Sequence, residues 1–596
     1  MDWSKELVES AIWIAKSLGI TAVVFALAMF LLVRFTGWGR QFWSMAHGYL
    51  TPKRTIKPIL FFVFIVFLTL LEVRISLIHS NWYNTMYSSL QDLNQTVFWQ
   101  QMIVFCFIAT AAVLNSLLTY YAQRRFSINW IEWLNKHLLD KWLANQAYYK
   151  TQQIYGELDN PDQRIQHDVQ AYVSHSLSFA TGVISAVSSI ISFTILLWGL
   201  SGAMTVMGVE IPHMMVFLVF IYVLIATVIA FWLGRPLIGL NFANEKLNAN
   251  YRYSLIRVKE YAESIAFYAG EKVEKSLLYR QFNQVIDNMW KIVYRTLKFS
   301  GFNLVVSQVS VVFPLLIQVG RYFAGQIKLG DLMQTMQVFN RLHSNLSYFR
   351  DVYDSFAEYK ATLDRLTSFE QAINSATLAN QQTKIEHHDS QVAFKELTVK
   401  TPTGVALIDD LNLTLPQGSS LLIQGRSGLG KTTLLRTVAG LWAYSSGTII
   451  RPDNAMFLSQ KPYLPQGRLI DAVYYPDVVP SDVNMGELTE LLNKVQLGHL
   501  VEKLEQEHDW THILSLGEQQ RLAFARLILH RPTAAFLDEA SASMDEGLED
   551  AMYRLLRTEL PDTTIISVGH RSTLLKYHQL QLVVLDGRRW EVRENH

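Results

Sequence analysis

The sequence predicts an α-helical membrane domain fused to a C-terminal α/β domain. Long apolar segments recur from Ile12 to Phe356, and beyond Val392 the pattern changes to short β-like runs alternating with helices. A third observation specifies the α/β domain. The run Gly425, Arg426, Ser427, Gly428, Leu429, Gly430, Lys431, Thr432 follows the apolar stretch Leu421–Ile423 and precedes the helix-like Leu434–Ala439, so a glycine-rich turn joins a strand to a helix.

Composition bounds the reading. A chain of 596 residues exceeds one hydrophobic core, and about 100–200 residues per domain predicts three or more units. Charged residues make up 17% and apolar residues 50%, with 26 Tyr, 32 Phe and 15 Trp, a membrane-protein balance. The net charge of +1 and the lack of a contiguous basic face give no reason to expect a nucleic-acid partner. One cysteine, Cys106, excludes an intrachain disulfide and is expected to be a small buried hydrophobe. No cleavable signal peptide is evident, because the first apolar run is long enough to span.

Seven segments reach spanning length: about Ile12–Val33, Leu60–Ile78, Met102–Tyr121, Phe179–Leu200, Met214–Leu233, Phe302–Phe323 and Leu332–Phe356. Arg34, Arg40, Lys53, Arg54 and Lys57 follow the first span, and no Lys or Arg occurs from Ile75 to Gln123. Arg124 to Arg164 is basic again, Ile165 to Gly234 is empty, and Arg235 to Lys298 is rich in both. Positive charge on alternate loops places the N-terminus outside and everything after the last span in the cytoplasm. The basic stretches near 122–178 and 235–300 read as helices continuing the spans into the cytoplasm.

The last span carries Gln334, Gln337, Asn340, Arg341, His343, Asn345, Tyr348 and Arg350. Polar groups at bilayer depth need a hydrated cavity or a partner, so this helix is expected to line a solute path; the alternative is a membrane-proximal cytoplasmic helix. Glu72 and Arg74, two apart on a helix, cannot face each other and need separate partners. The polar stretch Asn374–Ser390 reads as a linker. The expected domains are 1–56 (an accessory span and cytoplasmic connector), 57–366 (six spans with long stalks), 367–391 (linker) and 392–596 (the α/β domain).

Within that last domain, Gly425 to Thr433 forms a phosphate cradle. Glycines let successive backbone N–H groups turn inward, the helix N-terminus adds positive charge, Lys431 reaches the β- and γ-phosphates, and the Thr432 hydroxyl ligates Mg²⁺. The apolar run Ala534–Leu537 ends in Asp538 and Glu539. A carboxylate at a strand end holds Mg²⁺ and a second polarises water, so Asp538 is assigned to the metal and Glu539 to general base.

Between these motifs lies Leu514, Ser515, Leu516, Gly517, Glu518, Gln519, Gln520, Arg521, which resembles the signature Leu-Ser-Gly-Gly-Gln of the ATP-binding cassette (ABC) family. Leu516 and Glu518 depart from it. The resemblance implies that Ser515, Gly517 and Glu518 contact nucleotide, that Gln460 is the Q-loop residue acting in catalysis and at the metal, that Ala542–Asp545 is the D-loop with Asp545 at the nucleotide, and that His570 is the switch histidine. Thr401 stands where an aromatic usually stacks on adenine, and Trp442 is expected to pack in the core. One cassette per chain implies a homodimer with ATP and Mg²⁺ between two copies.

The finer resemblance is to SbmA/BacA-like and YddA-like permeases and the peroxisomal fatty-acyl (subfamily D) transporters. It rests on Tyr155–Glu157, Asn160–Ile165, Glu263–Glu271, Asn81–Asn84, Gly440–Trp442 and Ser567–Arg571. It implies a type I exporter-like fold with six core spans plus one accessory helix, in a bacterial inner membrane. It also implies ATP-driven transport, with uptake of bulky hydrophilic solutes such as peptides or cobalamin-like compounds favoured by the polar last span. Export of lipidic or acyl compounds, or a proton-coupled permease with a regulatory ATPase domain, are the alternatives.

Overall fold

The computed structural model describes residues 3–51, 56–155, 161–202, 204–206, 209–378, 382–585 and 589–595. Lys53, Arg54, Gly156, Glu157 and Asn160, all used above, lie outside them. The chain divides into two compact units, Met1–Leu139 with Asn160–Glu370, and Asp140–Asp159 with Gln371–His596.

The first unit is helical: α1 (Trp3–Phe35), α2 (Gly37–Leu50), α3 (Lys57–Gln91), α4 (Gln95–Leu143), α6 (Val169–Leu200), α7 (Met214–Glu260), α8 (Ala262–Phe267), α9 (Glu271–Phe323) and α10 (Leu329–Asp351), with α11 (Tyr353–Leu378) leading out of it. α5 (Ala147–Tyr155) falls in the second unit. A short hairpin, β1 (Met204–Val206) with β2 (Val209–Ile211), joins α6 to α7. As expected, the described residues of the basic stretches are mostly helical: α4 continues to Leu143, α7 to Glu260, and α9 begins at Glu271.

Among the described residues six helices are long and apolar enough to cross a membrane: α1, α3, α4, α6, α7 and α9. The predicted seventh, α10, is a helix but falls short in apolarity because of its polar side chains. Its 23 residues, about 35 Å at 1.5 Å per residue, still match the bilayer. α10 packs against α3, α6, α7 and α9, as a helix among the spans does and a peripheral one does not.

That packing corrects part of the solute-path expectation. Gln334 is buried, accepts from Asn84 Nδ2 at 2.8 Å and donates to Asn81 Oδ1 at 3.1 Å, while Asn84 also donates to Asp331 at 2.8 Å. The N-terminal end of α10 is thus zipped to α3; Arg341 is exposed on the helix.

Two further expectations gain detail and a third is corrected. The connector after α1 contains α2, capped by Thr36 and held by Tyr49 stacked on Trp130 at 5.7 Å. Arg74 finds its partners 64 and 68 residues away on α1, donating to Ser10 Oγ at 2.9 Å and Glu6 Oε1 at 2.7 Å, while Glu72 is exposed. Cys106 is exposed rather than buried. An apolar run in a membrane helix points outward as readily as inward, because lipid replaces a core.

The second unit is built on two sheets. The six-stranded one has the order β12 (Trp590–Glu594), β11 (Leu580–Val584), β6 (Ser420–Gly425), β10 (Thr564–Val568), β9 (Ala534–Asp538), β8 (Ala455–Leu458), parallel except for β12. The other has the order β3 (Gln382–His387), β7 (Ser445–Arg451), β4 (Val392–Lys400), β5 (Ala406–Leu415). β3 lies inside the stretch read as linker. Lys384 and Glu386 of this edge strand pair with each other in solvent, and Ile385 packs on the core. The central strands β6 and β10 are buried on both faces, which is why they read as short, mostly apolar runs rather than as an alternation of apolar and polar residues. α12 (Lys431–Val438), α13 (Leu469–Tyr474), α14 (Met485–Lys494), α15 (Leu516–His530) and α16 (Glu546–Glu559) complete the unit.

Candidate nucleotide site

The glycine-rich turn leaves the C-terminal end of β6. A Cβ at Gly425 would lie 2.6 Å from the Val584 carbonyl oxygen, so only glycine fits beside β11. Gly428 and Gly430 have φ of 86° and 94°, the left-handed region that turns their N–H groups into the cradle. Arg426, Ser427 and Gly428 are exposed at the rim, and Leu429 packs on the core beneath. Lys431 opens α12 and is only 6% exposed; its ammonium donates to the Gly425 and Arg426 carbonyls at 2.8 and 2.9 Å. Burial pushes its pKa down, opposed by the charges of Glu539 and Asp538.

Parallel pairing of β9 with β10, and of β10 with β6, delivers Asp538 to the same sheet edge. The Thr432 hydroxyl donates to Asp538 Oδ1 at 3.0 Å. Burial raises the Asp538 carboxyl, with the neighbouring Glu539 charge adding to it and the Thr432 hydrogen bond opposing. Glu539 sits at φ 50°, uncommon for a non-glycine residue, and donates its N–H to the Val568 carbonyl at 3.1 Å. That turn sets its carboxylate 3.2 Å from His570 Nε2.

Two oxygen donors, Thr432 and Asp538, suit Mg²⁺, a hard ion that protein sites hold through one or two ligands plus phosphate oxygens. Among the described residues no group of three His, Cys, Asp or Glu is placed to hold a metal alone. Gln460, also expected there, is exposed and makes no hydrogen bond to Thr432 or Asp538. Its carbonyl instead accepts from Gln520 Nε2 at 2.9 Å.

The signature folds as a helix start. Ser515 caps α15: its hydroxyl accepts from the Glu518 N–H at 3.3 Å, and Glu518 Oε2 accepts from the Ser515 N–H and hydroxyl at 2.9 and 2.8 Å. Burial would raise the Glu518 carboxyl, yet these bonds and His499 Nε2, 3.0 Å from Oε1, hold it below the usual range. Gly517 faces the D-loop, where a Cβ would come 3.1 Å from the Ser543 carbonyl oxygen. Asp545 caps α16 through the Leu548 N–H at 2.8 Å.

The structure therefore gathers Gly425 to Thr433, Asp538, Glu539 and His570 at one sheet edge. Ser515, Glu518 and Asp545 make no hydrogen bond to that loop and keep local partners. Thr401 bonds within its own turn, to Thr403 at 2.8 Å, and Trp442 packs on the core while donating to the Lys400 carbonyl at 2.8 Å. Sequence reasoning missed two ties: fully buried Gln520, whose Oε1 also accepts from the Ser543 N–H at 3.0 Å, and Arg571, which donates to the Met544 carbonyl at 2.8 Å. The signal for Gln520 was a second glutamine directly after the signature.

A phosphate cradle, an acidic strand end and a histidine facing it, fused to membrane-spanning helices, define a membrane transport ATPase. The chain belongs to the ABC transporter family. Residues 45–323 match the ABC transporter transmembrane region 2 and residues 408–542 the ABC transporter family. An uncharacterized ABC transporter ATP-binding protein of Haemophilus influenzae is 67% identical, over 99% of this chain and all of its own. The inner membrane ABC transporter ATP-binding protein YddA of Escherichia coli is 33% identical, over 87% of this chain and 92% of its own. The human lysosomal cobalamin transporter ABCD4 is 27% identical, over 91% and 94%. A bacterial Atm1-family ABC exporter with ATP bound has the same fold, with a TM-score of 0.70, 14% identity, and coverage of 90% and 95%. The protein is thus a multi-pass membrane ATPase that binds ATP on a cytoplasmic cassette and couples its hydrolysis to transport.

Proposed function

We propose that two copies of the chain form a homodimer in the bacterial inner membrane, N-termini periplasmic, that takes up bulky hydrophilic solutes such as peptides or cobalamin-like compounds. The observation that carries the dimer is the exposed Ser515 at the start of α15, which makes no hydrogen bond to the phosphate loop of its own cassette. Each nucleotide then lies between Gly425–Thr433 of one copy and Ser515, Gly517 and Glu518 of the other, with Asp545 beside it. Phe267 and Tyr268, 82% and 87% exposed at the end of α8, offer an apolar tip for the second copy to cover.

In this reading Lys431 and the inward N–H groups bind the β- and γ-phosphates. Glu539 takes the proton of the attacking water and His570 holds that carboxylate in place. Mg²⁺ held by Thr432, Asp538 and Gln460 would neutralise charge developing on the phosphates. Exposed Arg341 on α10 supports a hydrated path and a hydrophilic cargo over an acyl chain.

The test is solute flux in vesicles with Glu539→Gln. Uptake should cease while nucleotide stays bound and the cassettes stay paired. Unchanged uptake that collapses with the proton gradient would instead establish a permease with a regulatory cassette, and flux outward of acyl compounds would establish the exporter reading.

A further inference from the structure

Where α7, α9 and α10 meet, a pocket of about 230 Å³ is walled by Phe231, Gly234, Phe299 and Tyr353 and carries two guanidinium groups, Arg235 and Arg350. Arg235 is the first cation after the Lys/Arg-free stretch ending at Gly234, and Arg350 lies in the last turn of α10. Both therefore sit where the spans reach the cytoplasmic headgroups, and the 75% exposed Trp232 beside them suits that depth.

The walls are built. Phe231 and Tyr353 meet edge to face at 5.2 Å, and Gly234 leaves room for Phe299, which a Cβ would approach to 3.2 Å. The Arg350 side chain is 11% exposed, and its Nε donates to Asp351 Oδ1 at 3.1 Å. Its Nη1 is buried with no hydrogen-bond partner. Arg235 is exposed and has no ion pair among the described residues. One carboxylate, mostly exposed, thus stands against two guanidiniums. A buried guanidinium N–H without an acceptor is costly, because the donor has given up water and gained no partner.

We propose that this pocket binds a phosphate or carboxylate group. The fork of Arg350 would take two of its oxygens, Arg235 would close over it from the exposed side, and the rings would exclude water around the pair. Two sources share this chemistry: the phosphate of an inner-leaflet lipid and an anionic group on the transported solute. The second source rests on the transport reading above.

The experiment uses full-length protein in nanodiscs. One arm counts phosphatidylglycerol retained against a phosphatidylcholine background by native mass spectrometry. The other titrates glycerol 3-phosphate in pure phosphatidylcholine, with ADP saturating the cassettes, and follows the thermal midpoint. Arg350→Gln, and Arg235→Gln as the exposed variant that spares folding, should weaken binding about tenfold or more, as expected for losing a charge-assisted hydrogen bond. Arg252→Gln, an exposed cation further along α7 and outside the pocket, should not. Loss in the lipid arm identifies a headgroup, and loss in the soluble arm identifies a solute anion. Binding unchanged by both pocket variants in both arms, or weakened equally by Arg252→Gln, overturns the site. Nucleotide trapping by Glu539→Gln is independent of these results, so failure here leaves the transport reading standing.

Discussion

Gln520 donates from its side-chain amide to the Gln460 carbonyl at 2.9 Å, and its oxygen takes the Ser543 N–H at 3.0 Å. One buried side chain thereby sets the spacing between the Q-loop and the D-loop. Gln520→Leu removes both bonds, at about 0.5–1.5 kcal/mol each because Gln460 and Ser543 are exposed to water, and should lower kcat for ATP by on the order of tenfold through misplacement. Steady-state kinetics beside a melting curve checks this. An unchanged kcat with a lowered melting point would make Gln520 purely structural.

Lys431 and Glu539 should separate binding from chemistry. Lys431→Ala removes the ammonium over the cradle and should abolish measurable ATP binding in equilibrium dialysis. Glu539→Gln should leave binding intact and slow hydrolysis by about 10²–10⁴, the span attributed to a positioned base.

Arg74 and Glu6 join α3 to α1 through a charge pair with side chains 13% and 15% exposed. Arg74→Gln strands Glu6 in an apolar setting and should destabilise more than the double change Arg74→Gln with Glu6→Gln. A double-mutant cycle on detergent-solubilised protein should give a coupling of about 1–3 kcal/mol. Strict additivity would show that α1 is held by packing alone.

His578 is 3% exposed, with Nε2 at 2.9 Å from Ser567 Oγ and Nδ1 at 2.8 Å from the Leu574 carbonyl oxygen. Burial is the main cause that lowers its pKa from 6.5 to about 4, with Arg557 adding to it. The folded state therefore holds the ring neutral. Its contribution is fully present above pH 6.5, where neither state takes a proton, and is lost as pH falls toward 4, where the unfolded chain is protonated first. The loss reaches about 3 kcal/mol at pH 4. Urea melts from pH 7 to 4 should show this slope in the wild type and a shallower one in His578→Gln.

What could be read from the chain alone follows from how local each signal is. The phosphate loop was legible because three glycines, a lysine and two threonines fall within nine consecutive positions between an apolar strand and a helix. Asp538 and Glu539 were legible as a strand end. The Arg74–Glu6 pair was not, since its partners are 68 residues apart and only folding brings them together. β3 was hidden because an edge strand keeps one face in water and so reads as polar linker. The position of Cys106 was misread because apolarity marks burial only where water is the alternative.

The stalks themselves have a mechanical consequence. α7 and α9 are 47 and 53 residues long, about 70 and 80 Å at 1.5 Å per residue, against a hydrocarbon layer of about 30 Å. Joined through the six-residue α8, they would act, in the proposed transport cycle, as a long-handled pair of tongs gripped from the cytoplasm. A few degrees of swing at the handle becomes several ångströms of travel at the jaws. Pro236, just past the α7 span, and Pro314, within the α9 span, each omit one rung of the helix ladder and are where such a lever would bend before it transmits.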